Sequence, residues 1–345
     1  MRDIADARKY IPPTELHGIE AGTSTYDCRP AIQRVIDELG PFGGRLYVPR
    51  GFYRLSAEHG RCLHITCPII IEGEGYFSCL IPDESVRESD HVIHCEPSPF
   101  IDCSQTEIRN LFIGDPTTGT RRGGYGIYLD TRTKGATLPL LMIRNLFVAD
   151  SGWASIYHVN DQKNNPNGGL YGSTITHCQL RGGIVLNGSG DSNHILYNVI
   201  GGTAIGVQAS MADGASQLDI IGNNITAVQG AIRINGGRHV NIERNNIEQI
   251  APGNINFGCM VLVRNVHWPT LRGNNLGAFS GITSLVRLSA VDGGEIAGNT
   301  LLPSEPGQIG IRIDATCQDV TMQRNAYGEG LTKHVQDAGI GTRMV

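Results

Sequence analysis

Gly183-Ile184-Val185-Leu186-Asn187 runs into His194-Ile195-Leu196-Tyr197-Asn198, Ala204-Ile205-Gly206-Val207-Gln208 into Leu218-Asp219-Ile220-Ile221-Gly222-Asn223, and Ala231-Ile232-Arg233-Ile234-Asn235 into Val240-Asn241-Ile242-Glu243-Arg244-Asn245. Each phrase is two alternating segments closed by an asparagine. Alternation with period two is the signature of a strand, and self-similarity over a few tens of residues is that of a solenoid. Outward from this stretch the closing asparagine recurs at Asn110, Asn145, Asn198, Asn223, Asn245, Asn274, Asn299 and Asn325, with Cys178 in the same slot. The mean step is about 27 residues, and no helix-sized apolar pattern fits between anchors. The expected fold is therefore all-β, a right-handed single-stranded parallel β-helix of roughly ten coils. Asparagine at the turn tolerates the left-handed backbone, and stacked asparagines can bond from coil to coil.

Repeat proteins grow along one axis, so 345 residues are expected to form a single β-helix domain, 1–345. Within it, 1–60 would hold the N-terminal cap and first strands, 61–330 the coils and 331–345 a C-terminal tail. The 45 glycines show no collagen period and suit coil corners. A net charge of -5 argues against a general nucleic-acid binder. No apolar run reaches a membrane span and Met1 to Tyr10 has no signal-peptide core, so a soluble chain without membrane contact is expected. Nine cysteines form no obvious disulfide framework. Cys62, Cys67, Cys79, Cys95 and Cys103 crowd together with His64, His91 and His94, but their spacing matches no zinc pattern. They are read as small core residues, with no metal site.

Between Asp27 and Leu39, Ala31, Ile32, Val35, Ile36 and Leu39 fall at helical spacing, with Pro30 in the first turn and Asp27 as cap. A short amphipathic helix there would cover the first coil, whose open end exposes core and strand edge. Residues 1–22 carry little pattern and are expected along the outside or in an oligomer contact. Asp27, Ala31-Ile32-Gln33 and the following Val48-Pro49-Arg50-Gly51-Phe52-Tyr53 resemble the capping region of the pectate-lyase-like β-helix proteins, including phage tailspike depolymerases. That resemblance implies action on polysaccharide and a secreted or virion-associated protein, with homotrimers common among the tailspikes. It leaves the reaction open, because hydrolases, lyases, epimerases and non-enzymatic binders share the scaffold.

On the first strand of each coil the residues between the inward apolar positions share one outer face. Read this way, Tyr128, Asp130, Asn187, Gln208, Arg233, Asn235, Arg264, Arg287 and Arg312 point outward, and the last arginines form a basic stripe with Arg233. Such a stripe suits the carboxylates or sulfates of an acidic polysaccharide. Asp161, Asp191 and Asp213 follow their first strands, and adjacent or alternate coils would give carboxylate pairs at retaining or inverting separation. Asp161 and Asp191 are expected as the catalytic pair of a glycoside hydrolase, with Arg233 beside them and His158 among the binding residues. The alternatives are a lyase acting by β-elimination on a uronate through Arg and Tyr, for which calcium could serve as cofactor, and a non-catalytic carbohydrate-binding module. The hydrolase needs no cofactor.

Overall fold

The computed structural model describes residues 4–40, 43–99, 103–150, 153–211, 215–249, 258–277 and 281–345. The chain divides into two compact units, Met1–Ile184 and Val185–Val345. Both are right-handed parallel β-solenoids, as the repeat predicts. Among the described residues no helix is long and apolar enough to cross a membrane.

In the first unit, Arg61–Ile65, His91–Cys95, Tyr125–Asp130 and Ala154–Val159 pair in parallel, one per coil. Leu63, Ile93, Ile127 and Ile156 lie in one register column and are fully buried. A second wall stacks Leu46, Ile71, Ile108, Ile143 and Ile175, again all buried. Each apolar residue thus sits directly on its neighbours one coil away, where burial contributes most per side chain.

Two helices precede the coils: α1, Pro13–Ala21, and α2, Arg29–Leu39. The first lies in a segment that shows no pattern in sequence, because only Ile19 is buried on it. It packs against Gly51, where a Cβ would come within 2.8 Å of Ile19 Cγ2. The expected capping helix is α2, and it buries Ala31, Ile32, Val35 and Ile36. Asp27 Oδ1 accepts the Arg29 N–H at 3.0 Å and the Ser56 N–H at 3.1 Å, tying the helix start to the end of the second strand after it, Gly51–Leu55. Gln33 shows how the cap protects the first coil: its Oε1 accepts the His64 N–H at 2.8 Å and its Nε2 donates to the His64 carbonyl at 2.9 Å. One side-chain amide thereby stands in for a missing neighbour strand.

In the second unit the same design gives the columns Val207, Ile232, Val261, Val286, Ile311 and Ile195, Ile220, Ile242, Leu271, Ile296, Met322. Residues 331–345, expected as a tail, continue the pairing: Lys333–Asp337 joins Ile309–Ile313 and Arg343–Met344 joins Thr321–Gln323.

The asparagines form a ladder. Asn198, Asn223, Asn245 and Asn274 each donate Nδ2 to Oδ1 of the next member at 3.0, 3.0, 3.0 and 2.9 Å, and Asn299 does so to Asn325 at 2.9 Å. Their conformation differs from the expectation. In these coils the left-handed residue is the one before the asparagine, such as Tyr197, Arg244 or Arg324, and the asparagine turns inward. Asn110 and Asn145 do take the left-handed position, and their external Nδ2 to Oδ1 contact is 3.2 Å. Register places Asn145 opposite His177, so Cys178 occupies the inward slot that Leu146 fills one coil earlier.

Candidate active site

All nine cysteines are free and buried, consistent with their reading as core residues. The histidines among them face the other way, outward. His64, His94, Tyr128 and Tyr157 fall in one register column on the outer face of the first unit, and Arg61, His91 and Tyr125 in another. Both columns face outward because the strands skip one beat of alternation. Cys62 and Leu63, Val92 and Ile93, and Ser155 and Ile156 are consecutive and all buried. At the equivalent point Gly126 admits the next coil, since a Cβ there would meet the Ser155 carbonyl oxygen at 2.7 Å.

Rings on successive coils are spaced for stacking. His91 lies flat on Tyr128, with centroids 3.9 Å apart and planes 3° from parallel. Tyr128 in turn runs parallel to Tyr157 at 5.3 Å, and His94 meets Tyr128 edge-on at 5.1 Å. Tyr125 is 4.6 Å from Tyr157 and 6.2 Å from the exposed Trp153.

Charged groups border the rings. Arg61 Nη1 is 3.4 Å from His94 Nδ1 and 3.5 Å from Glu96 Oε2, while His64 Nε2 reaches the same oxygen at 3.1 Å. A guanidinium can only donate, so His94 Nδ1 accepts, and the proton is assigned to Nε2, which lies 3.9 Å from Asp130 Oδ2. Arg132 grips Asp130 through Nε at 2.9 Å and Nη2 at 2.5 Å. Burial alone would raise the Asp130 carboxyl, but these Arg132 bonds outweigh it and hold it below its ordinary value. Burial pushes His91 down to about 4 and His94, beside three other basic groups, down to about 3. The same burial pushes the Tyr128 phenol up to about 12. His91 Nδ1 is buried and has no hydrogen-bond partner among the described residues. The face therefore holds uncharged imidazoles and a protonated phenol between two guanidiniums.

Of the residues expected at the site, Tyr128 stands at its centre. Asp130 is buried beneath Arg132 instead of projecting freely. His158 takes the inward register, opposite Leu129, and is wholly buried, with Nε2 2.9 Å from Thr131 Oγ1. Both Asp161 oxygens serve their own turn, accepting the Lys163 N–H at 3.0 Å and Asn164 Nδ2 at 2.6 Å. In the second unit Asp191 accepts the Ser216 N–H, and Asn187 is half-buried in its strand. Asp213 lies outside the described residues.

The basic stripe needs redrawing. Gln208, Arg233, Leu262, Arg287 and Arg312 share one column, whereas Arg264 stands two residues along with Asn235 and Ser289. The unshifted pairing of Ile232 with Val261 sets Leu262, not Arg264, after Arg233, while a register irregularity between Ile200 and Ile205 acts one coil earlier, aligning Val207, not Ile205, with Ile232 and so bringing Gln208 beside Arg233. Arg287 and Arg312 both turn onto Asp314, at 2.8 and 3.2 Å, which leaves less charge for a ligand. Asn235 Oδ1 accepts from Asn265 Nδ2 at 2.9 Å.

Arg61, His91, His94, Glu96, Tyr125, Arg132 and Tyr157 escape the sequence reading as site residues. The signal for several of them is the aromatic or basic residue three positions before each outward ring, in Arg61/His64, His91/His94 and Tyr125/Tyr128.

No protein-family model matches the chain, and no curated protein sequence matches it. Solved structures do share its fold. DFA-IIIase from Arthrobacter chlorophenolicus A6 in complex with GF2 aligns with a TM-score of 0.64 at 15% identity, over 94% of each chain. The A-module of mannuronan C-5 epimerase AlgE4 from Azotobacter vinelandii aligns at 0.51 and 13%, over 99% of this chain and 100% of that one. The corresponding AlgE6 module aligns at 0.53 and 15%, over 99% of both. At these identities the likeness is one of fold, and it makes this chain similar in architecture to β-helix proteins named for carbohydrate chemistry.

Proposed function

We propose that the chain is a carbohydrate-active enzyme that cleaves an acidic polysaccharide by β-elimination at a uronate, on the outer face of its first unit. One observation carries this: a neutral imidazole, His91, lies flat against a protonated phenol, Tyr128, with Arg61 and Arg132 at the border. Elimination needs those three parts. Arg61 and Arg132 hold the uronate carboxylate and stabilise the charge that spreads onto it. The His91 imidazole takes the proton alpha to that carboxylate, the bond to the glycosidic oxygen breaks, and a carbon–carbon double bond forms. Tyr128 gives its proton to the departing oxygen and regains one from His91, so the protein ends as it began. The likeness of fold to enzymes named for saccharide substrates agrees with this reading.

Both carboxylates at the face, Glu96 and Asp130, are already engaged by guanidiniums, so neither is assigned to a calcium ion. Chelation is expected to leave turnover unchanged. Hydrolysis is the second reading, favoured by the placement of Glu96 and Asp130 one coil apart, about 5 Å, near the retaining separation. Against it stands the burial of Asp130.

The test is a screen of acidic and neutral polysaccharides followed by reducing ends and ultraviolet absorbance together. Elimination raises both signals, hydrolysis raises reducing ends alone, and binding with neither identifies a non-catalytic module. His91→Ala and Tyr128→Phe should each lower turnover by about a hundredfold with binding retained, while Asp191→Asn should keep full activity. Full activity in His91→Ala removes the proposed base.

A further inference from the structure

Next to the stacked rings, but apart from the acid and base groups, is a cavity of about 360 Å³ lined by Val86, Glu88, Arg121, Arg122, Gly123 and Trp153. Two consecutive arginines there have opposite duties. Arg121 is buried, and its guanidinium donates to the carbonyls of Ala149, Gly123 and Ala154 at 3.4, 3.2 and 3.2 Å, so it builds the wall. Arg122 is exposed, makes no ion pair among the described residues, and lines both this cavity and a polar one of about 300 Å³ beside it. Of the acids bordering that second cavity, Asp83 and Asp115 are engaged by Ser85 and Thr117 of their own turns.

The opposite rim is an indole. Trp153 is 62% exposed, far beyond what a core tryptophan shows, and its Cδ1 is in van der Waals range of a Cβ built on Gly124, at 3.4 Å. Gly123 and Gly124 let this wall come close to the 88–90 segment: Cβ atoms there would meet the Asp90 and Glu88 carbonyl oxygens at 3.1 and 2.1 Å. Through Tyr125, 6.2 Å away, the indole is continuous with the ring cluster. A flat apolar face beside a guanidinium with no ion pair among the described residues, with the Glu88 carboxylate available for hydroxyls, matches the surfaces of a charged sugar ring.

We infer that the Trp153–Arg122 cavity is a distal subsite that binds one further acidic sugar of the same polysaccharide chain. The sugar's C–H face packs on Trp153, its carboxylate or sulfate pairs with Arg122, and Glu88 accepts from its hydroxyls. This deepens the proposed function, resting on its premise that the ring-lined face binds saccharide, but not on the reaction carried out there.

Short and long oligosaccharides of alginate and of polygalacturonate, titrated calorimetrically into the wild type, Trp153→Ala and Arg122→Gln, separate the two claims when turnover is followed in parallel. The expected result is a loss of about tenfold in affinity for long chains in each variant, with short-chain binding and short-chain turnover unchanged. Variants that bind long chains as the wild type does overturn the subsite, and so does a wild type that binds neither polymer. Length-dependent binding that both variants lose, without turnover in the wild type, supports the subsite and overturns the elimination reaction.

Discussion

Asn245 donates Nδ2 to the Ile220 carbonyl at 2.8 Å and to Asn274 at 3.0 Å, while its Oδ1 accepts the N–H and Nδ2 of Asn223 at 2.9 and 3.0 Å. All of this happens in a buried position. Asn245→Ala would strand several polar groups at once, so a destabilisation of roughly 2 to 4 kcal/mol is expected from the urea midpoint. The exposed Asn275, whose Nδ2 reaches Asn246 at 3.1 Å, should tolerate alanine to within about 0.5 kcal/mol. Histidines give a pH prediction. Burial lowers His91 to about 4, and His94 and His158 to about 3, from an ordinary 6.5. Between 6.5 and those values the unfolded chain takes up protons that the folded chain refuses, so stability is full above 6.5 and falls as pH drops. His158→Gln should flatten that slope in chemical denaturation; an unchanged slope would show that His158 is not a source of it.

At the scale of the element, α2 is a cap whose work is concentrated in two polar residues. Asp27→Ala frees the Arg29 and Ser56 donors and should cost about 1 to 2 kcal/mol in thermal unfolding. Gln33→Ala uncovers both backbone groups of His64 and exposes a strand edge, so the variant should also associate at high concentration, visible by light scattering. Turns show a comparable economy. Trp268 sits in the left-handed region at φ 53°, and its ring lies where a Cβ on Gly293 would come within 2.4 Å of Cδ1. Gly293→Ala therefore meets both a clash and a φ of 69°, and should destabilise by more than about 1 kcal/mol.

For the molecule as a whole, the nine cysteines offer a simple check on coil packing. All are buried, and burial pushes the thiols of Cys28, Cys62 and Cys79 up to about 12. A bulky disulfide reagent should find essentially none of them in the native protein and all nine after denaturation. Rapid native reaction would mean that the coils open on the timescale of labelling.

The solenoid was legible in the sequence because its determinants are local and repeated: alternation over a few residues, an asparagine at the turn, and a period that recurs. The cap was legible for the same reason, since Ala31, Ile32, Val35 and Ile36 lie at helical spacing within one segment. Helix α1 was not, because it buries only Ile19 and its place is set by contact with Gly51. At the site, Tyr128 could be placed on the outer face from its own strand, but His158 could not be oriented, since its strand reads equally well in either register until its neighbours fix it. Arg264 falls one alternation beyond Leu262, in the Asn235 column, and only the pairing of its strand with Ile232–Asn235 shows that Leu262, not Arg264, follows Arg233. The ring cluster joins residues as far apart as Arg61 and Tyr157, and it depends on a skipped beat in four strands that only their mutual packing reveals. Sequence by itself thus determined the coil and what seals its start. Tertiary structure decided which side chains meet across coils, because register between distant strands is settled by packing that no single strand encodes.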